Sequence, residues 1–500
     1  RYIGKETRII SYTRDNLVIP GLHDNHIHLI QAGILEKYEK LYSTTSKEDA
    51  ARRIARFAET IPDEKWVMGV GFRRMSWEDT SMPDAGTLDA VIADRPVFLM
   101  DEELHMAWLN SRGLQECGID KNTEAPDGGI ICRDEKGDPT GVLLENAVAL
   151  AAKHAFEFDK KTVKKLIEGY IDKAVSLGIT SVSDMTPYLS LDLSFPEVYF
   201  EMVSNNELKI RVNAARNLFE DINTFNEIRQ KADLEGKGLY RVPYMKQFID
   251  GTPANFTGML LEDYSDNPGE KGKATIDLDK MAAAIETATE NNISVRLHSC
   301  GDRSCREAIN AYENALKKFP ETESRHMVEH LELVDPNDIP RFGQLGIICS
   351  IQPEHLAAGT MKWEENCYPE KLGPERERYT WPFKQLKDNG AVLAGGTDCP
   401  VVEGNLFWGM YAGNTRKYYD DIPEGGWNPQ EKLTMPEMID MFTSGAAYAE
   451  HRENELGTLE AGKLADITVV DRNLLELEEN PDIRDTKVLL TMVDGRVVYS

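Results

Sequence analysis

From about residue 150 onward, short apolar runs alternate with amphipathic stretches of helical period, and this rhythm restricts the fold more than any other feature of the chain. Strand-like runs lie at Ile179–Asp184, Lys209–Ala214, Tyr244–Ile249, Ile293–Leu297, His326–Glu329, Ile347–Gln352 and Ala391–Gly395. Between them fall helical patterns such as Val163–Leu177, Asp277–Asn291, Arg303–Lys317 and Trp381–Asn389. Strands that alternate with helices of this length imply βαβ units and a parallel sheet. With Leu17–Leu22 added there are eight strands, the number that closes a (β/α)8 barrel. A doubly wound open sheet is the alternative, but it normally carries a Gly-rich phosphate turn after its first strand, and none stands there.

Two segments break the rhythm. Residues 60–150 contain strand candidates of their own, Trp66–Val70 and Pro96–Met100, and a hairpin-like stretch, Gly128–Leu144, that turns at Asp134-Glu135-Lys136-Gly137-Asp138. They are expected to form an α/β subdomain inserted between the first two barrel strands. At the C-terminus, Ala465–Asp471 and Val488–Val493 read as strands, and Asp494-Gly495 as a hairpin turn leading into Arg496–Tyr499. The stretch Tyr2–Val18 is strand-like too. The expected organisation is a small β-sandwich from residues 1–19 and 450–500, and a barrel over 20–449.

Composition narrows the function. The chain holds 57 Lys and Arg against 85 Asp and Glu, a formal net charge of −28. Such a surface repels phosphate backbones and anionic membranes, so neither nucleic acid nor a membrane is an expected partner. No run approaches the roughly 18 uninterrupted apolar residues of a membrane helix. Seven scattered Cys without a CxxC pair fit free thiols in a reducing cytoplasm. A small-molecule substrate is expected, with a homodimer as the default assembly.

The strongest local signal is Pro20-Gly21-Leu22-His23-Asp24-Asn25-His26-Ile27-His28. Alternation along a strand puts Asp24, His26 and His28 on one face and His23 and Asn25 on the other. Two imidazoles from one strand end offer a pair of nitrogen ligands to a divalent metal. Other strands finish on polar residues: Ile293–Leu297 on His298, His326–Glu329 on His330, and Ala391–Gly396 on Thr397 and Asp398. Catalytic groups of a barrel sit at these C-terminal ends.

At this point the chain resembles the amidohydrolase superfamily, in the branch that includes N-substituted formamide deformylase. The matching pieces run through His105-Met106-Ala107-Trp108-Leu109-Asn110-Ser111, Gly141-Val142-Leu143-Leu144-Glu145, His298-Ser299-Cys300-Gly301-Asp302, Glu329-His330, Gly396-Thr397-Asp398 and Gly462-Lys463-Leu464-Ala465-Asp466. His23 and Ser299-Cys300 depart from the family's usual residues. The resemblance implies a metal site of His26, His28, Lys246, His298, His330 and Asp398, with Lys246 carboxylated to bridge the metals. Zinc is the expected metal, as one or two ions.

The expected reaction is hydrolysis of a carbon–nitrogen bond in a non-peptide amide by a metal-activated hydroxide. Asp398 acts as general base towards the water and then as acid towards the leaving amine. Deamination, lactone or ester hydrolysis, and a non-catalytic metal-binding regulatory role are the alternatives. His355, just past the seventh strand, and His105 and Trp108 from the insertion are candidate substrate contacts. The aromatic-rich segment Gly404–Gly426 reads as a loop that supplies an apolar pocket.

Overall fold

The computed structural model describes residues 4, 5, 7, 9–185, 193–357 and 361–500. Eight parallel strands form one sheet that curls into a barrel: β1 (Leu22–Ile27), β2 (Ile179–Asp184), β3 (Arg211–Asn217), β4 (Tyr240–Phe248), β5 (Ser294–Ser299), β6 (Met327–His330), β7 (Ile348–Ile351) and β8 (Leu393–Gly395). Each strand pairs with its successor, which leaves β1 and β8 as the two edges of the sheet. Closure happens just beyond β8, where Asp398 N donates to His26 O (2.7 Å) and His28 N donates to Cys399 O (2.9 Å). The helices Lys160–Ser176, Ile222–Glu235, Leu278–Glu290 and Asp302–Lys318 lie between successive strands. The first three start on Asp side chains, Asp159, Asp221 and Asp277, which accept from first-turn backbone N–H groups that would otherwise lack partners.

The expected first strand, Leu17–Leu22, is two strands. Leu17–Pro20 pairs antiparallel with Ile467–Val470 in a separate sheet, and the barrel strand starts at Leu22. The chain passes from one sheet to the other at Gly21, whose N–H donates to Asp466 O. A Cβ there would stand 2.3 Å from Thr180 Oγ1, so this crossing admits only glycine. The expected strand over Tyr2–Val18 is confined to its last two residues among those described; Tyr2, Ile3, Glu6 and Arg8 lie outside the described residues.

The terminal segments pair as Leu17–Pro20, Ile467–Val470, Val488–Val493 and Arg496–Tyr499 in a four-stranded antiparallel sheet beside the barrel. Its Asp494-Gly495 turn has positive φ at both positions (48° and 76°), which matches the twist of a two-residue hairpin. A forked pair, Arg211 Nε to Asp466 Oδ2 (2.8 Å) and Nη2 to Oδ1 (2.9 Å), ties this sheet to β3. A third sheet of six strands is built from residues between Glu39 and Glu145, ahead of β2 in the sequence. Its hairpin Gly129–Arg133/Pro139–Glu145 lies where the sequence indicates one.

The barrel interior is layered. Met327, Ile348, Ala394 and Ala449 form an apolar plug at the N-terminal end of the strands. Above it lies a polar layer in which Arg296 donates to Glu329 Oε1 (2.6 Å) and Asn25 O (2.6 Å), while Asn25 Nδ2 donates to Ser350 Oγ (3.1 Å). The candidate site is the next layer up, at the C-terminal ends of the strands.

Candidate metal centre at the strand ends

His26 and His28 end β1 with both rings buried. The register against β2 shifts between Asp24 and Ile27, so the strand does not keep strict alternation. Asp24 accepts from Thr397 N (2.8 Å) and Thr397 Oγ1 (2.6 Å), and thereby pins the turn that carries Asp398. Asp398 sits at φ 61°. Its Oδ1 lies 3.4 Å from His26 Nε2 and 3.2 Å from His28 Nε2, and its Oδ2 lies 3.8 Å from His330 Nδ1. His330 is the last residue of β6, where positive φ at His330 (74°) and Leu331 (54°) ends the extended strand. One ligand atom from each of His26, His330 and Asp398 falls within 4.8 Å of the others, the spacing of a shared ion.

His298 and Lys246 complete the ring. The His298 and His330 rings lie 4.3 Å apart, centroid to centroid, and Lys246 is fully buried with Nζ 4.9 Å from the Phe248 ring. Burial pulls Lys246 down to about 8, against the opposing pull of the Glu329 and Asp398 carboxylates. Burial likewise takes His26 to about 3, and takes His330 well below the usual imidazole range with help from His298 and His26. Burial would raise Asp398, but His26, His28 and His355 together hold it far below the usual carboxylate range. His26 and His330 are therefore neutral donors of lone pairs, and the aspartate is an anion.

This donor set fits a divalent ion. Lys246 Nζ, His26 Nε2, His330 Nε2 and Asp398 Oδ1 are all buried without a hydrogen-bond partner among the described residues. Leaving one such group unmet costs about 1–3 kcal/mol. His26, His330 and Asp398, gathered at one point, supply the pattern of lone pairs that a cation satisfies.

His355 and His105 flank the ring. His355 Nε2 is 3.2 Å from Thr397 O and 3.9 Å from Asp398 Oδ2, and its ring stacks 5.9 Å from that of His330. His105 reaches over from the six-stranded sheet until its ring lies 5.3 Å from His298. Its Nδ1 is 2.6 Å from Glu145 Oε2, and although burial would lower it, that carboxylate brings His105 up to about 9. The pocket over the centre is walled by Phe72, Met75, Met361, Tyr368 and Tyr418 and reaches down to His298, His330 and Asp398. Trp108 is not among these residues. It lies in the core of the six-stranded sheet against Phe72 (5.9 Å) and Trp77 (6.3 Å). The segment after β8 is likewise not a plain loop, since Leu406–Thr415 is a helix; of its aromatics Tyr418 reaches the pocket.

Sequence reasoning misses three groups. Asp250, just past β4, is cradled by Met259 N, Cys300 N, Gly301 N and Ser304 Oγ, and it faces His298 Nδ1 at 3.3 Å. Its one sequence signal is a carboxylate two positions beyond an apolar strand end. Glu145 appears in sequence only as the last residue of the matching piece Gly141–Glu145, with no role assigned to it. Gln352, just past β7, is buried with neither amide atom bonded among the described residues.

Comparison with known proteins bears on the whole chain. It is 28% identical over 512 residues to the protein LONG AFTER FAR-RED 3 of Arabidopsis thaliana, which covers all of this chain and 85% of that one. It is 25% identical over 494 residues to N-substituted formamide deformylase of Arthrobacter pascens, covering 96% and 88% respectively. The structure superposes on an uncharacterized metal-dependent hydrolase from Pyrococcus furiosus with a TM-score of 0.68 at 25% identity, covering 92% of this chain and 88% of that one. The family model of the amidohydrolases matches residues 14–499, which includes every residue of the buried donor ring, and so the chain belongs to the amidohydrolase family and is a metal-dependent hydrolase.

Proposed function

We propose that the chain hydrolyses the carbon–nitrogen bond of a small non-peptide amide, of the N-acyl or N-formyl amine type. The observation that carries this is Asp398: an anion held among three imidazoles, with one buried oxygen lacking a hydrogen-bond partner among the described residues, at the floor of a pocket that mixes apolar side chains (Phe72, Met361, Tyr418) with ionisable ones (Arg74, Glu103, Glu332). The similarity to a formamide deformylase supports the choice of bond.

His26, His28, His298, His330 and Asp398 would hold the metal, zinc by the chemistry of this nitrogen and oxygen donor set, in one or two ions. A divalent ion there acidifies water and polarises a carbonyl. Asp398 takes a proton from the attacking water and passes it to the leaving nitrogen, so that the bond breaks to a carboxylic acid and an amine. His355, 3.9 Å from Asp398, would bind the substrate carbonyl, and His105 lines the same pocket. Lys246 is buried and drawn towards neutrality, the state in which its amine would add carbon dioxide to give a carbamate with two oxygen donors for the metal.

A panel of N-formyl amines, simple N-acyl amines, lactones, esters and nucleobases, assayed at equal metal loading, tests this reading. Turnover of the amides, and its loss in Asp398→Asn, is expected. Turnover confined to esters or nucleobases would overturn the assigned bond. For Lys246, growth of a carbamate signal under ¹³C-labelled bicarbonate is expected by NMR; its absence would leave an ordinary lysine.

A further inference from the structure

Beneath the donor ring runs a chain of buried charged groups that the proposed reaction does not use. It begins at His26, whose Nδ1 is 2.6 Å from Glu329 Oε2. The other oxygen, Glu329 Oε1, accepts from Arg296 Nε at 2.6 Å. Arg296 Nη2 donates to Asn25 O at 2.6 Å, and Nη1 lies 3.4 Å from Oε1 of Glu450, which follows the last barrel helix. Glu450 Oε1 also accepts from Ser183 Oγ at 2.5 Å. His26, Arg296, Glu329 and Glu450 are all 1% exposed or less.

We propose that Glu329 is a positioning residue for His26: it holds the imidazole in the tautomer that presents a bare Nε2 to the metal, while Arg296 and Glu450 hold Glu329 in place. At 2.6 Å one proton must lie between His26 Nδ1 and the carboxylate. The proton is the imidazole's, because the buried guanidinium paired with Oε1 keeps Glu329 a carboxylate, which only accepts. In the neutral imidazole the N–H is therefore on Nδ1, and Nε2 carries a lone pair. That lone pair faces Asp398 Oδ1 at 3.4 Å, also an acceptor and also without a hydrogen-bond partner among the described residues. Two acceptors buried face to face repel unless a cation lies between them. The opposite tautomer would instead set a lone pair against Glu329 at 2.6 Å, which is worse. A carboxylate behind a ligating histidine is a general way to fix its orientation and raise its basicity.

The inference rests on the metal-site reading only for its second readout. In the full chain labelled with ¹⁵N-histidine and kept metal-free, long-range ¹H–¹⁵N spectra report the His26 tautomer, assigned by difference against His26→Asn. The Nδ1–H form is expected in the wild type and a shift to the Nε2–H form in Glu329→Gln, whose amide oxygen still accepts from Arg296 while its NH2 turns to Nδ1. Zinc affinity, measured by chelator competition, is expected to fall about 10–100-fold in Glu329→Gln and by less in Glu450→Gln, one interaction further away. An Nε2–H tautomer in the wild type, a tautomer unchanged in Glu329→Gln, or an unchanged zinc affinity each overturns the proposal. A wild type that binds no zinc would sink the metal-site reading, while the tautomer would still decide this inference.

Discussion

The barrel and the six-stranded sheet beside it bury similar strands in opposite ways. The sheet packs Leu41, Ile54, Val67, Leu99, Trp108 and Val142 into an apolar cluster, the ordinary use of a β face. The barrel fills its middle with Arg296, Glu329, Asn25 and Ser350, and its upper end with four histidines, a lysine and an aspartate. Burying charge is costly, and paired charges seldom add more stability than well-packed apolar side chains of the same volume. The barrel interior is thus shaped for chemistry, and the surrounding sheets and helices supply the stability that permits it.

Substitutions in the two regions should separate along this line. The largest effect belongs to Asp398→Asn, which keeps the shape and removes the charge. Turnover is expected to drop by at least about 10²–10⁴-fold with an unchanged circular dichroism spectrum. Next is Arg296→Met, which strands Glu329 and Glu450 without their cation. Removing one partner of a buried pair costs about 3–5 kcal/mol, and here both denaturation midpoint and zinc affinity should fall. Leu143→Ala, in the strand Pro139–Glu145 of the other sheet, should cost about 2–5 kcal/mol and leave zinc affinity alone. If Leu143→Ala weakened zinc binding as much as Arg296→Met, the division between the regions would be false.

Acid sharpens the same contrast. Burial lowers the folded His326 from 6.5 to about 3; the ring stacks 4.6 Å from Tyr312 and bonds to Thr289. A neutral imidazole is thus favoured in the fold, while the unfolded chain takes up a proton near pH 6.5. The stability tied to neutral His326 is complete above that pH and drains away as the pH falls towards 3, by about 1.4 kcal/mol per pH unit. Denaturant titrations between pH 7.5 and 5 should show a shallower loss in His326→Gln than in the wild type. Identical slopes would contradict the buried neutral state. The smallest effect is expected at the far edge: Gly495→Ala, at φ 76° in the terminal hairpin, should cost about 1 kcal/mol and leave turnover unchanged.

The parts of this arrangement that can be read from sequence are those encoded by local period. The βα rhythm shows strands β2 to β8 because each is a short run with an apolar outer face set between amphipathic helical stretches. The helix starts are read two to three residues late for Lys160–Ser176 because Asp159 caps a polar first turn, which apolar spacing alone does not register. The break at Gly21 is invisible locally, since Leu17–Leu22 is one apolar run whose halves are claimed by partners some 160 and 450 residues away. His26, His28, His298, His330 and Asp398 stand out because they follow apolar runs, and Lys246 only through family resemblance. Asp250, Glu145 and Gln352 do not stand out. Their roles depend on contacts across strands, such as the 3.3 Å approach of Asp250 to His298, that no single segment encodes.

The most direct test of the central claim is metal content per chain by elemental analysis, on protein purified without chelators, in parallel with a His26→Ala/His330→Ala double variant. One to two equivalents of zinc or a similar divalent metal in the wild type, and much less in the double variant, is the predicted result. A wild type that stays metal-free even after reconstitution, or a double variant that holds as much metal, would contradict the account.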